Sequence, residues 1–381
     1  NNCIIDFMFR SFLIKPASGS CNMKCDYCFY RDEQDNRETK SYGRMDIETS
    51  HKLIDLALDS NDSCSFAFQG GEPTLAGLDF FKDFVSYASR KGRDRFSLAI
   101  QTNGFSIDRQ WARFFHDNNF LVGLSMDGNK KIHDIYRHSK DGNGSFKNVF
   151  RTSEIFKSES VDFNILITVT KDVAKHIDQI HPFFVRNGFR YLQYIPCIDP
   201  ISDSRGQRDY SLSVELYGEF LCKLFDYYYK AWTMGEYISI RYFDNLVLML
   251  SGQRPEACGM SGVCGLNYVV EADGSVFPCD FYVLDGYKLG NIKTNTFKEM
   301  DDERDRIGFV NESRKVAEEC KVCKYFPLCR GGCKRDRDTF SEKGLSLNYL
   351  CPAFKHFFSY AIPALDQMAR AEMRARGMNN K

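Results

Sequence analysis

The 381-residue sequence has no excess charge of either sign and no long uninterrupted apolar run. Lys plus Arg and Asp plus Glu both number 51, so the net charge is zero. A neutral chain has no general attraction to nucleic acid or acidic membranes, and we expect neither as a partner. The apolar stretch from Ile4 to Ile14 is interrupted by Asp6 and Arg10 and is too short to span a bilayer. We therefore expect a soluble cytoplasmic protein.

Cysteine, in contrast, is abundant, with 15 residues. Disulfide frameworks are typical of short secreted chains, whereas this chain is long and rich in Lys and Glu, which favours metal ligation. Three cysteines lie within residues 21–28 and eight within residues 258–351. We expect the remaining four to be ordinary buried thiols: Cys3, Cys64, Cys197 and Cys222.

From about residue 9 to residue 198, short apolar runs alternate with longer amphipathic runs. The strand candidates are Phe9–Ala17, Cys64–Gln69, Phe96–Gln101, Phe120–Ser125, Asp162–Thr168 and Arg190–Ile195. Helix candidates lie near residues 46–60, 77–91, 106–118, 146–159 and 173–187. Asp46 and Asp108 occupy N-cap positions.

This alternation predicts parallel βα units with functional loops at the carboxyl ends of the strands. Cys21–Cys28 and Gly70–Pro73 follow the first two strand candidates, as that rule requires. We expect an α/β fold, an open (β/α)6 partial barrel; a flat doubly wound sheet is the alternative.

The composition changes after Pro200. We expect helices at about 213–234 and 242–250, a hairpin turning at Asp273-Gly274, and a polar, fraying helix beyond about residue 368. From Cys258 onward the chain is loop-rich and cysteine-dense, so metal clusters would stabilise it where apolar burial is thin. The predicted domains are a barrel at 1–235, a cysteine-dense domain at 236–368 and a polar tail at 369–381.

The spacing Cys21-x3-Cys25-x2-Cys28 places three thiols in one short loop. Four cysteines usually hold a 4Fe–4S cluster, so a set of three leaves one iron open to a substrate or cofactor. The alternatives are three unrelated loop cysteines or part of a zinc site. Structural zinc needs a closed set of four ligands, and the next Cys and His are Cys64 and His51.

This triplet, with Tyr27 before its last cysteine and Phe29-Tyr30 after it, resembles the signature of the radical S-adenosylmethionine (radical SAM) superfamily. The resemblance implies that the open iron chelates SAM and that an electron from the cluster cleaves SAM to a 5′-deoxyadenosyl radical. Gly70-Gly71-Glu72-Pro73 resembles the segment that meets the methionine amino group of SAM. The predicted cofactor-binding residues are Tyr27, Gly71, Ser125, Arg137 and Ile198.

Ordinary roles remain open for these cofactor-binding residues. Gly71 and Ser125 could be turn formers, Arg137 a solvated surface residue and Ile198 a core residue.

The later cysteines form two interleaved sets, Cys258-x5-Cys264-x14-Cys279 and Cys320-x2-Cys323-x5-Cys329-x3-Cys333-x17-Cys351. A pair of zinc ribbons is one interpretation. The arrangement also resembles the SPASM extension of peptide-modifying radical SAM enzymes, which carries two auxiliary 4Fe–4S clusters. That resemblance implies a first auxiliary set of Cys258, Cys264, Cys279 and Cys333. It implies a second auxiliary set of Cys320, Cys323, Cys329 and Cys351.

Within that superfamily the chain resembles the anaerobic sulfatase-maturating enzymes in residues 11–18, 64–77, 240–244 and 274–282. The resemblance implies oxidation of a Cys or Ser in a sulfatase polypeptide to Cα-formylglycine, with Asp280 as the base. A turn or cap carboxylate is the alternative for Asp280. We expect the substrate peptide to bind at the open end of the barrel, through some of the residues Tyr30, Gln69, Gln101 and Asn103. Core packing or loop hydrogen bonding is an equal alternative for each of them.

The resemblance further implies SAM and three 4Fe–4S clusters as cofactors, an unfolded or nascent sulfatase polypeptide as substrate, and a flavodoxin or ferredoxin as electron donor. One alternative is another SPASM enzyme, such as one that forms thioether crosslinks in a peptide. The other is a zinc-stabilised binding protein without catalysis. The sequence leaves open which sulfatase is modified, whether Cys or Ser is preferred, the physiological electron donor and the oligomeric state.

Overall fold

The computed structural model of the protein describes residues 9–337 and 347–377. This part of the chain divides into two compact units. The first unit comprises residues 9–126, 134–163 and 266–309, and the second comprises residues 127–133, 164–265, 310–337 and 347–377. The domain boundaries expected after residues 235 and 368 stay predictions, and Cys3 lies outside the described residues.

The strands of the described chain are β1 Phe9–Ile14, β2 Ser63–Phe68, β3 Phe96–Thr102, β4 Phe120–Ser125, β5 Phe163–Val169, β6 Tyr191–Pro196, β7 Ser239–Ile240, β8 Asn267–Val270, β9 Ser275–Phe277 and β10 Gly290–Asn291. The helices are α1 Phe29–Asp35, α2 Ile47–Ser60, α3 Leu78–Arg90, α4 Arg109–Asp117, α5 Lys130–Tyr136, α6 Phe146–Ser158, α7 Lys171–Lys175, α8 Ile177–Arg186, α9 Val214–Thr233, α10 Arg241–Leu250, α11 Phe297–Arg306, α12 Phe309–Ser313, α13 Glu318–Lys321, α14 Phe326–Cys329, α15 Lys334–Arg337 and α16 Cys351–Ala375.

The sheet of the first unit has the strand order β10-β9-β8-β1-β2-β3-β4. Strands β1 to β4 are parallel neighbours in chain order, as the alternating pattern predicts. The predicted hairpin at Asp273-Gly274 is confirmed as β8 and β9. Its first strand, β8, also pairs in parallel with β1, a contact that sequence analysis did not predict. The segment after β8 is thereby brought beside the loop after β1.

The two faces of this sheet carry different side chains because residues alternate along each strand. On the outer face of β2, Phe66 and Phe68 are buried and pack edge-to-face against Phe84 and Phe81 of α3. The other face, which we call the inner face, carries small residues such as Ala67 and Ala99, which the sheet register places side by side. Small side chains leave space over this face, next to the carboxyl ends of the strands.

The predicted helix starts of the first unit are confirmed. Asp46 Oδ1 accepts a hydrogen bond of 2.6 Å from Thr49 N, and Asp108 Oδ1 accepts one of 2.9 Å from Gln110 N. Each carboxylate therefore satisfies an N–H group that the first turn of a helix leaves unpaired.

In the second unit, β5, β6 and β7 are parallel neighbours. The segment predicted as one helix at 173–187 is two, α7 and α8, because His176 between them has a non-helical backbone. Helix α16 was predicted only in part, beyond about residue 368, yet it begins at Cys351. Its Phe357 packs against Phe225 of α9 and Phe243 of α10. No described helix combines the length and apolar character needed to cross a bilayer.

A buried ion pair connects three segments of the first unit near the loop after β1. Arg37, just after α1, places its guanidinium 2.9 Å from the Glu271 carboxylate, just after β8. The two side chains are 1% and 0% exposed. The Arg37 guanidinium also donates to Ser18 Oγ at 3.4 Å. The pair therefore connects α1, the β8 end and the loop after β1.

We predict that Glu271→Gln lowers the free energy of unfolding by about 3–5 kcal/mol, because it leaves a buried guanidinium without its charged partner. Urea denaturation followed by circular dichroism measures this change. As a control, Lys298→Met breaks the exposed Lys298–Asp302 pair and should change the free energy of unfolding far less, because solvent screens that pair. Equal effects from both substitutions would contradict the prediction.

Candidate active site

The loop of residues 15–28, which we call the cluster loop, leaves the carboxyl end of β1. On one side it pairs with the segment after β2: Gly71 N donates to Ser18 O at 3.0 Å, and Glu72 N donates to Ser20 O at 2.8 Å. A Cβ atom on Gly71 would lie 2.1 Å from Ser20 O, so no side chain fits there. The predicted close approach at Gly71 is thus to the cluster loop, and its contact with a cofactor stays a prediction.

The other side of the cluster loop pairs with the segment after α5. Lys24 N donates to His138 O at 2.8 Å, and Asp26 N donates to Tyr136 O at 3.0 Å. Between them, Arg137 is only 6% exposed, and its guanidinium donates to Tyr27 Oη at 2.9 Å. Its burial excludes the alternative of a solvated surface arginine and places a cation beside the cluster loop.

The three thiols of the cluster loop are half-buried. Met23 N lies 3.4 Å and Asn103 Nδ2 3.5 Å from Cys21 Sγ. Burial raises the pKa of Cys28, and the N–H groups of Arg31 and Tyr30, in the first turn of α1, oppose that rise. Such N–H donors stabilise the thiolate, the form that binds iron. The donor set therefore fits the three-cysteine cluster predicted from the spacing.

Glu72, which sequence analysis treated only as part of a glycine-rich segment, is 1% exposed. Its carboxylate accepts hydrogen bonds from Asn103 N at 2.8 Å, Thr102 Oγ1 at 2.9 Å and Thr74 Oγ1 at 2.6 Å. Asn103 in turn donates to Asn22 Oδ1 at 2.8 Å. The Asn103 amide thus supports the cluster loop, and its predicted contact with substrate remains untested.

Asp280, the predicted base, lies just after β9 and brings together two predicted substrate residues. Tyr30 Oη donates to Asp280 Oδ2 at 2.7 Å, and Gln69 Nε2 donates to the same oxygen at 3.2 Å. The other oxygen, Oδ1, lies 3.1 Å from the ammonium of Lys15. Among the described residues, this buried Oδ1 accepts no hydrogen bond. It therefore retains acceptor capacity for a proton donor on a ligand.

Lys15 and Glu33 complete this group, and sequence analysis missed both. Lys15 Nζ lies 2.9 Å from Glu33 Oε2, and the two side chains are 1% and 5% exposed. Burial would lower the pKa of Lys15, but the carboxylates of Asp280, Glu33 and Glu271 outweigh it and raise that pKa. Lys15 is therefore a permanent cation. The position of Lys15 directly after β1 could have identified it from the sequence, because functional residues lie at the carboxyl ends of barrel strands.

The structure places three further predicted site residues at or near strand ends. On the inner face, Gln101 is exposed and Ser125 is half-buried at the end of β4. Ile198 is half-buried after β6, in the second unit. Of the cysteines expected to be ordinary thiols, Cys64 and Cys197 are buried, whereas Cys222 is only half-buried.

In the second unit, four thiols line one pocket together with Phe326, Phe354 and Phe358. They are those of the second auxiliary set: Cys320, Cys323, Cys329 and Cys351. Four sulfur donors around one space fit a closed 4Fe–4S site.

Three cysteines of the first auxiliary set also lie in the second unit. Burial raises the pKa of the Cys333 thiol, and the charges of Asp336, Cys264 and Cys258 act in the same direction. A Cβ atom on Gly259 would lie 3.8 Å from Cys333 Cβ, so the turn at Cys258 lies against Cys333. Cys279 lies in the first unit, and its membership of the set stays a prediction. Within residues 9–337 and 347–377, no three Cys, His, Asp or Glu side chains lie close enough together to bind one single metal ion. The four thiols of the second auxiliary set instead line a pocket.

Comparison with known proteins supports the family resemblance found in the sequence. The radical SAM superfamily profile matches residues 16–181, and that of the SPASM iron-sulfur cluster-binding domain matches residues 263–324. A cysteine-type anaerobic sulfatase-maturating enzyme from Clostridium perfringens is 46% identical over 94% of this chain and 98% of its own length. A serine-type enzyme from Bacteroides thetaiotaomicron is 30% identical over 97% of this chain and 93% of its own length.

The solved structure of native anSMEcpe with bound AdoMet and Cp18Cys peptide is 45% identical to this chain and superposes with a TM-score of 0.91. The match covers 96% of this chain and 99% of that one. The predicted α/β fold, a radical SAM partial barrel with a SPASM domain, is therefore confirmed, and the flat doubly wound sheet is excluded.

Glu33 leads to a prediction about pH. Burial raises the pKa of Glu33 to about 7, with Lys15 opposing and Asp280 adding to the rise. A carboxyl group with a raised pKa binds its proton more tightly in the folded protein than in the unfolded chain. Its contribution to stability is therefore present at low pH and is lost as the pH rises towards about 7.

We predict that Glu33→Gln flattens this part of the pH dependence, since glutamine does not titrate. Urea midpoints of the wild type and the variant, measured between pH 5 and pH 8, test it. The urea midpoint of the wild type should fall relative to that of Glu33→Gln as the pH rises towards about 7. A constant difference over that range would show that Glu33 does not have a raised pKa.

Proposed function

The chain belongs to the anaerobic sulfatase-maturating enzymes of the radical SAM superfamily, and we propose that it oxidises an active-site cysteine of a sulfatase polypeptide to Cα-formylglycine. The observation that carries this proposal is the Asp280 carboxylate. It is held by Lys15, Tyr30 and Gln69, and within the described part of the chain its Oδ1 accepts no hydrogen bond. A general base must be fixed in position and still able to accept the substrate proton.

Cysteine rather than serine as the substrate residue is supported by the relatives. The cysteine-type enzyme is 46% identical to this chain, and the serine-type enzyme only 30%. A thiol also gives up its proton more readily than an alcohol does, so a single carboxylate is a sufficient base for it.

The enzyme uses SAM and iron–sulfur clusters, and we propose three 4Fe–4S clusters held by its eleven clustered cysteines. When bound, the first cluster and SAM supply the radical that removes a hydrogen atom from the substrate Cβ. Cys21, Cys25 and Cys28 would hold that cluster. Gly71 and Arg137 flank the cluster loop on its two sides, and Tyr27 lies within it. With Ser125 and Ile198, these three residues are the proposed SAM contacts. The Arg137 cation suits the SAM carboxylate.

Asp280 takes the thiol proton of the substrate at Oδ1. The Lys15 ammonium beside that oxygen and the Tyr30 hydroxyl on Oδ2 keep the carboxylate from rotating. Loss of the proton makes the substrate radical a stronger reductant, and the auxiliary clusters that the eight later cysteines would hold could accept its second electron. The resulting thioaldehyde takes up water and releases its sulfur as hydrogen sulfide, which leaves the aldehyde.

We further propose that the substrate is an unfolded or nascent polypeptide, since the reacting side chain must reach a half-buried carboxylate. Gln101 on the exposed inner face, together with Tyr30, Gln69 and Asn103, is proposed to contact it. A cytoplasmic flavodoxin or ferredoxin is the proposed electron donor. Another SPASM peptide modification, such as thioether formation, is disfavoured because it gives Asp280 and its partners no role.

The first test is turnover of matched peptides. We predict that a sulfatase-derived cysteine peptide, incubated anaerobically with enzyme, SAM and a reductant, loses two hydrogens and exchanges its sulfur for oxygen. The serine version should react more slowly. Mass spectrometry and aldehyde-specific labelling measure both products. An unchanged cysteine beside an altered neighbouring residue would instead indicate crosslink formation.

The second test is Asp280→Asn. We predict that this variant keeps about twelve irons and still cleaves SAM, while formylglycine formation falls by about a hundredfold or more, as expected for loss of a general base. The control is Asp285→Asn, because Asp285 is exposed and binds only the Glu38 amide among its described hydrogen bonds. Full activity of Asp280→Asn would remove Asp280 from the mechanism.

A further inference from the structure

A buried cation, Arg337, lies among the cysteine-bearing segments of the second unit. It is 1% exposed and ends the short helix α15. The proposed roles of the clustered thiols do not require an arginine there. Burying a guanidinium is costly unless its donors are bound, so its surroundings indicate what it stabilises.

The Arg337 guanidinium donates to three backbone carbonyls in two separate segments. It reaches Gly262 O at 3.2 Å, between Cys258 and Cys264. It reaches Ser313 O at 2.9 Å and Lys315 O at 2.7 Å, in the segment that leads to Cys320.

Two further hydrogen bonds extend this connection to the ligands themselves. Arg337 Nε donates to Cys333 O at 3.4 Å. Ser313 Oγ accepts from Cys264 N at 2.9 Å. One side chain therefore joins the segments that carry cysteines of both auxiliary sets.

Buried cations lie beside both auxiliary sets. A Cβ atom on Gly331, which lines the pocket of the second set, would lie 3.7 Å from a terminal nitrogen of the Arg337 guanidinium. Lys334 directly follows Cys333 of the first set and is 6% exposed. Arg337 is therefore adjacent to both sets and Lys334 to the first, while the exposed Lys355 also lines the pocket of the second set.

We propose that Arg337 is a positioning residue shared by the two auxiliary clusters, whose buried charge raises the reduction potential of both. This inference rests on the proposed ligation of those clusters. A 4Fe–4S cluster with four thiolates is an anion that gains a further negative charge on reduction, and nearby positive charge stabilises the reduced form. In an interior where burial alone would disfavour that charge, a cation between the sets makes both of them better electron acceptors.

The test is a redox titration followed by electron paramagnetic resonance. The full chain carries Cys21→Ala, Cys25→Ala and Cys28→Ala, so that only the auxiliary clusters contribute. We predict that Arg337→Gln makes the one-electron reduction of both clusters at least tenfold less favourable, a downward shift of about 59 mV or more. Arg337→Lys, which retains the charge, should stay closer to the parent. Lys334→Met should lower the potential of the first cluster alone.

The matched control is Arg335→Gln. Arg335 lies in the same helix and is 3% exposed, but its guanidinium donates to Asp199 O. This variant should leave both potentials unchanged. Unchanged potentials in Arg337→Gln, or an equal shift in Arg335→Gln, would overturn the inference.

If Arg337→Gln fails to fold, the test uses Lys334→Met instead. An unchanged reduction potential of the first auxiliary cluster in that variant overturns the inference. The iron content of the parent separates this result from failure of the proposed function. About eight irons with unshifted potentials overturn the inference alone, whereas a parent without the auxiliary clusters overturns the proposed ligation and the inference with it.

Discussion

The Lys15 ammonium, buried between two carboxylates, is the interaction on which the active site depends. It lies 3.1 Å from Asp280 and 2.9 Å from Glu33, in surroundings almost closed to water. A buried charge of this kind is tolerated only when it is paired, so the three groups fix each other's positions. Because they come from the end of β1, from α1 and from the turn after β9, their pairing also fixes those elements around the site.

The cluster loop is held in position by backbone hydrogen bonds. Its two sides hydrogen-bond to different neighbours, the segment at Gly71 and Glu72 and the segment from Tyr136 to His138. The loop therefore needs no regular secondary structure of its own to hold three thiols in place. The buried Glu72 carboxylate accepts hydrogen bonds from Thr102 and Asn103 at the end of β3. It therefore connects β3 to the segment that pairs with the cluster loop.

The two units solve the problem of buried charge in different ways. In the first, carboxylates neutralise the cations Lys15 and Arg37. In the second, the Arg337 guanidinium binds backbone carbonyls and lies near thiols whose bound clusters would be anionic. The first arrangement positions Asp280, which we propose as the base. The second places a buried cation beside the proposed ligands of both auxiliary clusters.

The sequence by itself determined the strand and helix order of the barrel, the helix caps at Asp46 and Asp108, the three cysteine groups and the family. These features depend on local spacing, which remains visible without a structure. Only the tertiary structure revealed Lys15 and Glu33 beside Asp280, the β1–β8 pairing, and the carbonyls around Arg337. Such contacts join residues far apart in the chain (Tyr30 and Asp280 are 250 positions apart), so they depend on how the chain packs. No local pattern encodes which buried charges will meet.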